Sequence, residues 1–505
     1  MTGDVTRGII AAPHHLAAEA GAAVLREGGN AVDAAVAADA VLCVVYPHMT
    51  SVGGDLFALV WPAGAAAPAG LAGAGRSGSL ATAEAVRARG HAVMPEIGPL
   101  TVTVPGTAEA WGRLVERFGT LGMEPLMAAA VAHARDGYVV TGGLAGCLAE
   151  NAGWLLADPG SAALFPPLKA GMALRNPELA QTLEDIGRNG FHGVYRGAVA
   201  EAIVTALGRR GGLLTAADLA AHRSAWVEPV AFPYRGLTVY ELPPPTQGLC
   251  AAAMLRRFER LDAAELEPGA PFARSLVRVR DQAYPLRERY IGDPDFVQVP
   301  WEPFLDVSAG AGTAGPAPAI PEGDTVYLCA ADEHGNVVSL IQSVAGTFGS
   351  GVVAEGTGVL LQNRGMYFSL EPGHVNLLEP RKRTMHTLIP AMAARDGRCW
   401  AAFGTMGGDG QPQLQAQVLL GLVDRGLDPA SAVAAPRLRV ASGGGELWLE
   451  ADYPDAGAAA RAVPAGRLLP PRSMAMGHAA ALVVDAPGRW RAGADPRSDG
   501  AVVEV

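Results

Sequence analysis

The sequence predicts a large mixed α/β protein, and three observations predict it. Half of the 505 residues are hydrophobic and only 18% are charged, enough apolar side chain to bury a sizeable core. The first half carries segment after segment with helical apolar spacing, whereas the region after residue 324 reads as strand, turn and strand. By length the chain fits about three average domains, or one large α/β domain with insertions.

Residues 17–26 follow the helical period and stop at Gly28-Gly29-Asn30; a second helix is predicted over 33–45. The apolar run 31–45 is interrupted by Asp33 and Asp39, which makes it a buried helix rather than a membrane span. A glycine-containing turn from His48 to Asp55 feeds a short strand over 56–61. Further helices are predicted over 108–117, 125–134, 177–188 and 198–207. Residues 226–242 alternate as strands and break at Pro243-Pro244-Pro245. Residues 307–324, VSAGAGTAGPAPAIPEGD, can bury little and are predicted to be an exposed, mobile connector. Strands over 325–332 and 337–343, around Glu333-His334-Gly335-Asn336, then make a β-hairpin.

Charge and motifs exclude several classes. The formal charge is −11 and the only lysines are Lys169 and Lys382, which does not fit a nucleic-acid-binding surface. The N-terminal residues hold no secretory apolar run, and with no membrane span the chain reads as cytoplasmic. The five cysteines are scattered without a C-x-x-C pair, and the eleven histidines show no ligand spacing. No disulfide scaffold, metal or cofactor is therefore expected. Gly73-Ala74-Gly75-Arg76-Ser77-Gly78 matches G-x-G-x-x-G and precedes a predicted helix over 81–89. Residues 64–71, however, do not read as the strand a dinucleotide site requires. A second match, residues 310–315, falls inside the connector of a chain with 64 glycines. A Walker A loop, a G-x-S-x-G elbow and an H-E-x-x-H helix are all absent.

What remains is a threonine that starts a strand directly after an accessible connector. A threonine hydroxyl is a weak nucleophile without an adjacent base. Cutting the chain before it supplies one, its own α-amine, with a pKa of about 7.7–8.0. Asp324–Thr325 has the required layout, although an ordinary strand threonine also satisfies the pattern.

The segment from Gly323 to Leu370, beginning GDTVYLCAADEHGNVVSLIQSVAGTFGSG, resembles the start of the small subunit of the γ-glutamyltranspeptidase family. The resemblance extends over nearly the whole chain. It includes PHHLAAEAGAAVLREGGNAVDAAVAA, LTVTVPGTAEAW, NPELAQTLEDIGRNGFHGVYRGAVAEAI, GGLLTAADLAAHR, YELPPPTQG, the run 382–390, FGTMGGDGQPQ and AVAAPRLRV. It implies an N-terminal-nucleophile hydrolase with a four-layer αββα sandwich, made as one chain and self-cleaved before Thr325. Fragments 1–324 and 325–505 would then form one domain as a heterodimer, with a dimer of these left open. It further implies Asp324–Thr325 as the autocleavage bond, Ser343 as the assisting hydroxyl, and Gly407-Gly408 as the oxyanion donors.

The substrate-binding positions depart from the transpeptidases. Tyr367 stands where the family's amine-binding aspartate is expected, Arg364 replaces an amide-type residue, and Ala345 replaces an asparagine. His386-Thr387 replaces a serine pair that holds the α-carboxylate, and Arg76 only loosely matches the carboxylate-binding arginine. Losing a carboxylate and gaining a guanidinium removes ammonium recognition and keeps anion recognition. The expected activity is hydrolysis of a small-molecule amide of the γ-glutamyl or glutaryl type. One alternative is carbon–carbon hydrolysis removing an oxalyl-type group, as in relatives from alkylproline-antibiotic pathways; another is an unprocessed, non-catalytic scaffold.

Overall fold

Alternation along single strands sets the layering. In the strand Asp324–Asp332, Val326, Leu328 and Ala330 face one apolar cluster while Tyr327, Cys329 and Ala331 face another. The strand Asp55–Trp61 divides in the same way: Leu56, Ala58 and Val60 on one side, Phe57, Leu59 and Trp61 on the other. In the strand Ala391–Arg395, Met392 and Ala394 join the same middle cluster, and Ala391 and Ala393 a third one. Two sheets thus pack face to face, and each covers its outer face with helices: a four-layer αββα sandwich. The computed structural model describes residues 7–307 and 323–505. The expectation of a mobile connector over 307–324 lies almost wholly outside them.

The seven-stranded sheet runs, by hydrogen-bonded neighbours, Ala501–Glu504, Gly8–Ala12, Asp324–Asp332, Val337–Ala345, Asp55–Trp61, Ala69–Gly73 and Ala225–Val227. The six-stranded sheet runs Arg489–Ala494, Ala479–Ala486, Arg398–Thr405, Ala391–Arg395, Leu237–Glu241 and Val230–Tyr234. The strand that begins at Asp324 is therefore central, bonded on one side to chain from before the connector. Residues 31–45 form a helix, Ala31–Val45, buried along its whole length. Its two acids are absorbed locally. Asp33 accepts from the Asn30 N–H at 3.0 Å in a capping box, and Asp39 accepts from the Trp111 indole at 2.7 Å. Burial pushes the Asp39 carboxyl up to about 8. Among the described residues no helix is long and apolar enough to cross a membrane.

Candidate active site

The site is built where the two sheets open at the start of the Asp324 strand. Thr325 is 1% exposed, and alternation puts it on the inter-sheet face with Tyr327 and Cys329. Opposite it the partner strand carries one extra residue. Pairing passes from Gln342–Val326 to Ala345–Asp324, so Ser343 and Val344 together face the single Thr325. The bulge forces Ala345 to φ +82°, a left-handed conformation that disfavours a Cβ by roughly 1–2 kcal/mol. Ser343 ties the bulge down. Its Oγ accepts from the Ala345 N–H at 2.6 Å and donates to the Asp324 carbonyl oxygen at 2.6 Å. That carbonyl belongs to the peptide bond entering Thr325, so the relay polarises it. The Thr347 hydroxyl donates to the Asp324 carboxylate.

The glycine pair comes from the other sheet, just past the strand Arg398–Thr405. Gly407 has φ +127° and Gly408 φ +49°, and a Cβ on Gly407 would sit 2.6 Å from Leu414. The turn is anchored through its carbonyls. Arg439 donates to Gly407 O at 3.2 Å, Gln247 to Gly408 O at 3.0 Å, and the Tyr284 hydroxyl to Asp409 O at 2.7 Å. Arg287 reaches both Asp409 (2.5 Å) and the Gln247 side-chain oxygen (2.9 Å). In a trans peptide the N–H points opposite the C=O, so fixing the Gly407 carbonyl from behind aims the Gly408 N–H away from Arg439. Gly408 meets the chain just before Thr325: a Cβ there would lie 2.7 Å from the Gly323 nitrogen. A Cβ on Gly323 would lie 3.0 Å from the Tyr367 hydroxyl and 3.1 Å from the Ala345 oxygen.

On the expected substrate side the structure gathers Arg364, Tyr367, His386 and Thr387. The Arg364 side chain is fully buried, with its guanidinium carbon 5.2 Å from the Tyr367 ring centre. Its Nη1 donates to the Thr387 hydroxyl at 2.9 Å, while among the described residues Nε and Nη2 have no hydrogen-bond partner. Among the described residues no carboxylate lies within ion-pair distance of it, and burial pulls its pKa below the usual arginine value. His386 Nδ1 accepts from the Leu388 N–H at 3.3 Å, which leaves Nε2 to donate to Asp55, 3.2 Å away. Burial, then the neighbouring Arg364, bring the His386 pKa down to about 4, so the ring is neutral near pH 7. Asp55 also accepts from the Gln362 amide at 2.9 Å and the Gly75 N–H at 3.1 Å.

Arg76 is engaged elsewhere. Its guanidinium pairs with Asp293 (3.3 Å) and Asp295 and donates to the Arg381 carbonyl at 2.9 Å. The glycine motif around it needs one correction, because a strand, Ala69–Gly73, does precede it. That segment is short and Ala/Gly-rich, and it forms because its neighbours in the sheet pair with it on both sides. Its glycines nevertheless serve the fold. A Cβ on Gly75 would lie 1.4 Å from the Val104 oxygen, and one on Gly78 2.1 Å from the Leu213 oxygen. The Gly75 and Ser77 N–H groups are bonded to Asp55 and the Lys382 carbonyl, leaving no cradle for a phosphate. The second match, residues 310–315, lies outside the described residues. Among the described residues no group of three or more His, Cys, Asp or Glu could hold a metal.

Sequence reasoning missed the scaffold of the glycine turn (Gln247, Tyr284, Arg287 and Arg439) and the Asp55–His386 pair. Gln247 and Arg439 carried a signal, inside the YELPPPTQG and AVAAPRLRV segments, and His386 was itself a candidate. The others lie far apart in sequence and meet only in three dimensions.

Three comparisons bear on this geometry. The family profile described as Gamma-glutamyltranspeptidase matches residues 17–505. The chain is 37% identical to the glutathione hydrolase-like YwrD proenzyme of Bacillus subtilis, covering 99% of each chain. It is also 37% identical to an oxamate amidohydrolase proenzyme of Klebsiella pneumoniae, covering 98% of each. Among solved structures, a cephalosporin acylase from Bacillus halodurans superposes with a TM-score of 0.91 at 34% identity, over 99% of this chain and 96% of that one.

Proposed function

Because the chain belongs to the γ-glutamyltranspeptidase family, whose members here are processed amide hydrolases, we propose that it cleaves itself at Asp324–Thr325. We further propose that the freed Thr325 hydrolyses amides whose acyl part carries an anion. One observation carries the first half: the Ser343 hydroxyl bonded at 2.6 Å to the carbonyl of the bond to be cut, at a bulge facing Thr325. In the first stage Thr325 Oγ attacks the Asp324 carbonyl carbon, the C–N bond breaks, and an ester links Asp324 to Thr325. Water then splits the ester and leaves a free α-amine on Thr325. In the second stage that amine takes the Oγ proton as the hydroxyl attacks the substrate carbonyl, and passes it to the departing amine. The Gly407-Gly408 N–H groups receive the developing oxyanion. Water resolves the acyl-enzyme. An amine acceptor in place of water would give transfer.

The anionic acyl is read from Arg364, a buried cation without a carboxylate partner among the described residues. An oxalyl-type acyl is the second reading, favoured by the identity with the oxamate amidohydrolase. The two fragments would remain one heterodimer, since the Asp324–Asp332 strand is bonded to Gly8–Ala12. The test is a denaturing gel with N-terminal sequencing of the small fragment, expected to begin Thr-Val-Tyr-Leu-Cys. Thr325→Ala should give one intact, inactive chain. A different start, or an active Thr325→Ala protein, overturns the reading.

A further inference from the structure

A cavity of about 480 Å³ adjoins Tyr367, the ring that the Arg364 guanidinium lies against. Tyr367 belongs to its wall, and Arg364, Thr387 and the glycine pair do not. Besides Tyr367, six buried apolar side chains line it: Met94, Ile291, Met366, Phe368, Leu370 and Met385. All six are buried in the fold yet border an open space, and three are methionines, which adapt to differently shaped ligands. Val93, also in the lining, is 74% exposed, a large apolar side chain in contact with water that a ligand in the cavity would cover.

The net charge lining the cavity is negative. Glu96, Glu288 and Glu371 contribute carboxylates. The single arginine of the wall, Arg287, is already engaged by Glu288 at 2.6 Å and Asp409 at 2.5 Å. One guanidinium against two carboxylates leaves that triad with a surplus negative charge. An anionic group entering here would be repelled, while an apolar group or an ammonium would not. The Arg364 site and the cavity share Tyr367 and differ in charge, so they suit opposite ends of one molecule. Arg364 suits the anionic acyl end, and the methionine-lined cavity the other end of the amide.

We infer that this cavity is the leaving-group subsite, and that it selects apolar amines without a carboxylate over amino acids or peptides. The inference rests on the proposed role of Thr325 and Arg364 and adds the other half of the substrate. The experiment uses processed enzyme and three glutaryl amides that differ only in the amine released: ammonia, n-hexylamine and norleucine. The ammonia compound does not reach into the cavity and is the internal reference. The n-hexylamide should exceed the norleucine amide in kcat/KM by tenfold or more. Glu371→Lys, a change at an exposed position, should narrow that ratio at least threefold, and Val93→Asp should lower kcat/KM for the n-hexylamide relative to the primary amide. Calorimetric titration with free n-hexylamine and free norleucine reads the same preference without turnover. If the primary amide reacts but hexyl and norleucine compounds are equal, the subsite assignment is wrong and the Thr325 reading stands. If no glutaryl amide reacts, the acyl reading falls and the inference falls with it.

Discussion

Replacing Arg364 with methionine separates a functional guanidinium from a structural one, because the two roles predict opposite signs in stability. The side chain is fully buried, makes one hydrogen bond to Thr387 at 2.9 Å, and leaves Nε and Nη2 unpaired. A structural arginine in such a place would be held by a carboxylate, and none lies within reach among the described residues. Burying a charge without that partner costs several kcal/mol, and replacing buried ionic groups with apolar ones of similar volume is often neutral or stabilising by about 1–4 kcal/mol. For a chain of this size unfolding entropy scales as ~2.1 cal/mol/K per residue, so each kcal/mol moves Tm by about 1 °C. Arg364→Met should thus hold or raise Tm by about 1–4 °C. The substrate anion loses a charge-assisted hydrogen bond of roughly 1.5–3 kcal/mol, so kcat/KM on the glutaryl anilide should fall about 10- to 150-fold. Differential scanning calorimetry and steady-state kinetics on the same preparation check both. A fall in Tm with kcat/KM unchanged would make Arg364 a structural residue and remove the basis for an anionic acyl group.

Three further outcomes are expected. Ser343→Ala should slow self-cleavage about 2- to 10-fold, the ~0.5–1.5 kcal/mol of a neutral hydrogen bond, and Ser343→Thr should restore it; a time course of the fragments on gels decides. A γ-glutamyl anilide should react more slowly than the matched glutaryl anilide, because Arg364 repels its ammonium and Tyr367 offers no carboxylate; a tenfold preference for the γ-glutamyl compound would sink that reasoning. Burial brings His14 and His48 to about 3, and His386 and His478 to about 4, all below the ordinary 6.5. The unfolded chain therefore binds protons between pH 6.5 and 4 that the folded chain refuses, and stability present above 6.5 should drop by several kcal/mol as pH falls to about 4. A urea midpoint that stays constant from pH 7 to 4 contradicts this.

How much of this could be read from residues alone depended on whether the signal was local. The helix over 31–45 and the hairpin after residue 324 are written in their own spacing and turn residues, and the structure places them as Ala31–Val45 and as Asp324–Asp332 with Val337–Ala345. The strand Ala69–Gly73 is not so written. Alanine and glycine carry no strand preference, and only pairing on both sides makes it one. The bulge was illegible for a related reason: nothing in Ser343-Val344-Ala345 announces an extra residue, which exists only relative to the opposing strand. Arg76 shows the limit from the other side. Its place in the sequence suggested an anion site, whereas Asp293 and Asp295, more than two hundred residues away, claim its charge.

The uncleaved chain also carries its own block. An oxyanion donor acts at about 2.7–3.1 Å from the oxygen it stabilises, so in the proposed mechanism a substrate carbonyl must come that close to the Gly407-Gly408 amides. In the structure the Gly323 nitrogen and Cα lie 2.7 and 3.0 Å from the position a Gly408 Cβ would take. The backbone before Thr325 thus crowds Gly408, and a Cβ at 323 would itself be tight, 3.0 Å from the Tyr367 hydroxyl and 3.1 Å from the Ala345 oxygen. On the proposed reading, cutting Asp324–Thr325 would change two things together. It would give Thr325 the amine that makes its hydroxyl a competent nucleophile, and it would turn Gly323-Asp324 into a chain end that can leave the glycine pair. On this geometry a substituted base nearby would not by itself produce an active uncleaved enzyme, because the steric obstruction would persist after the chemical one had been removed.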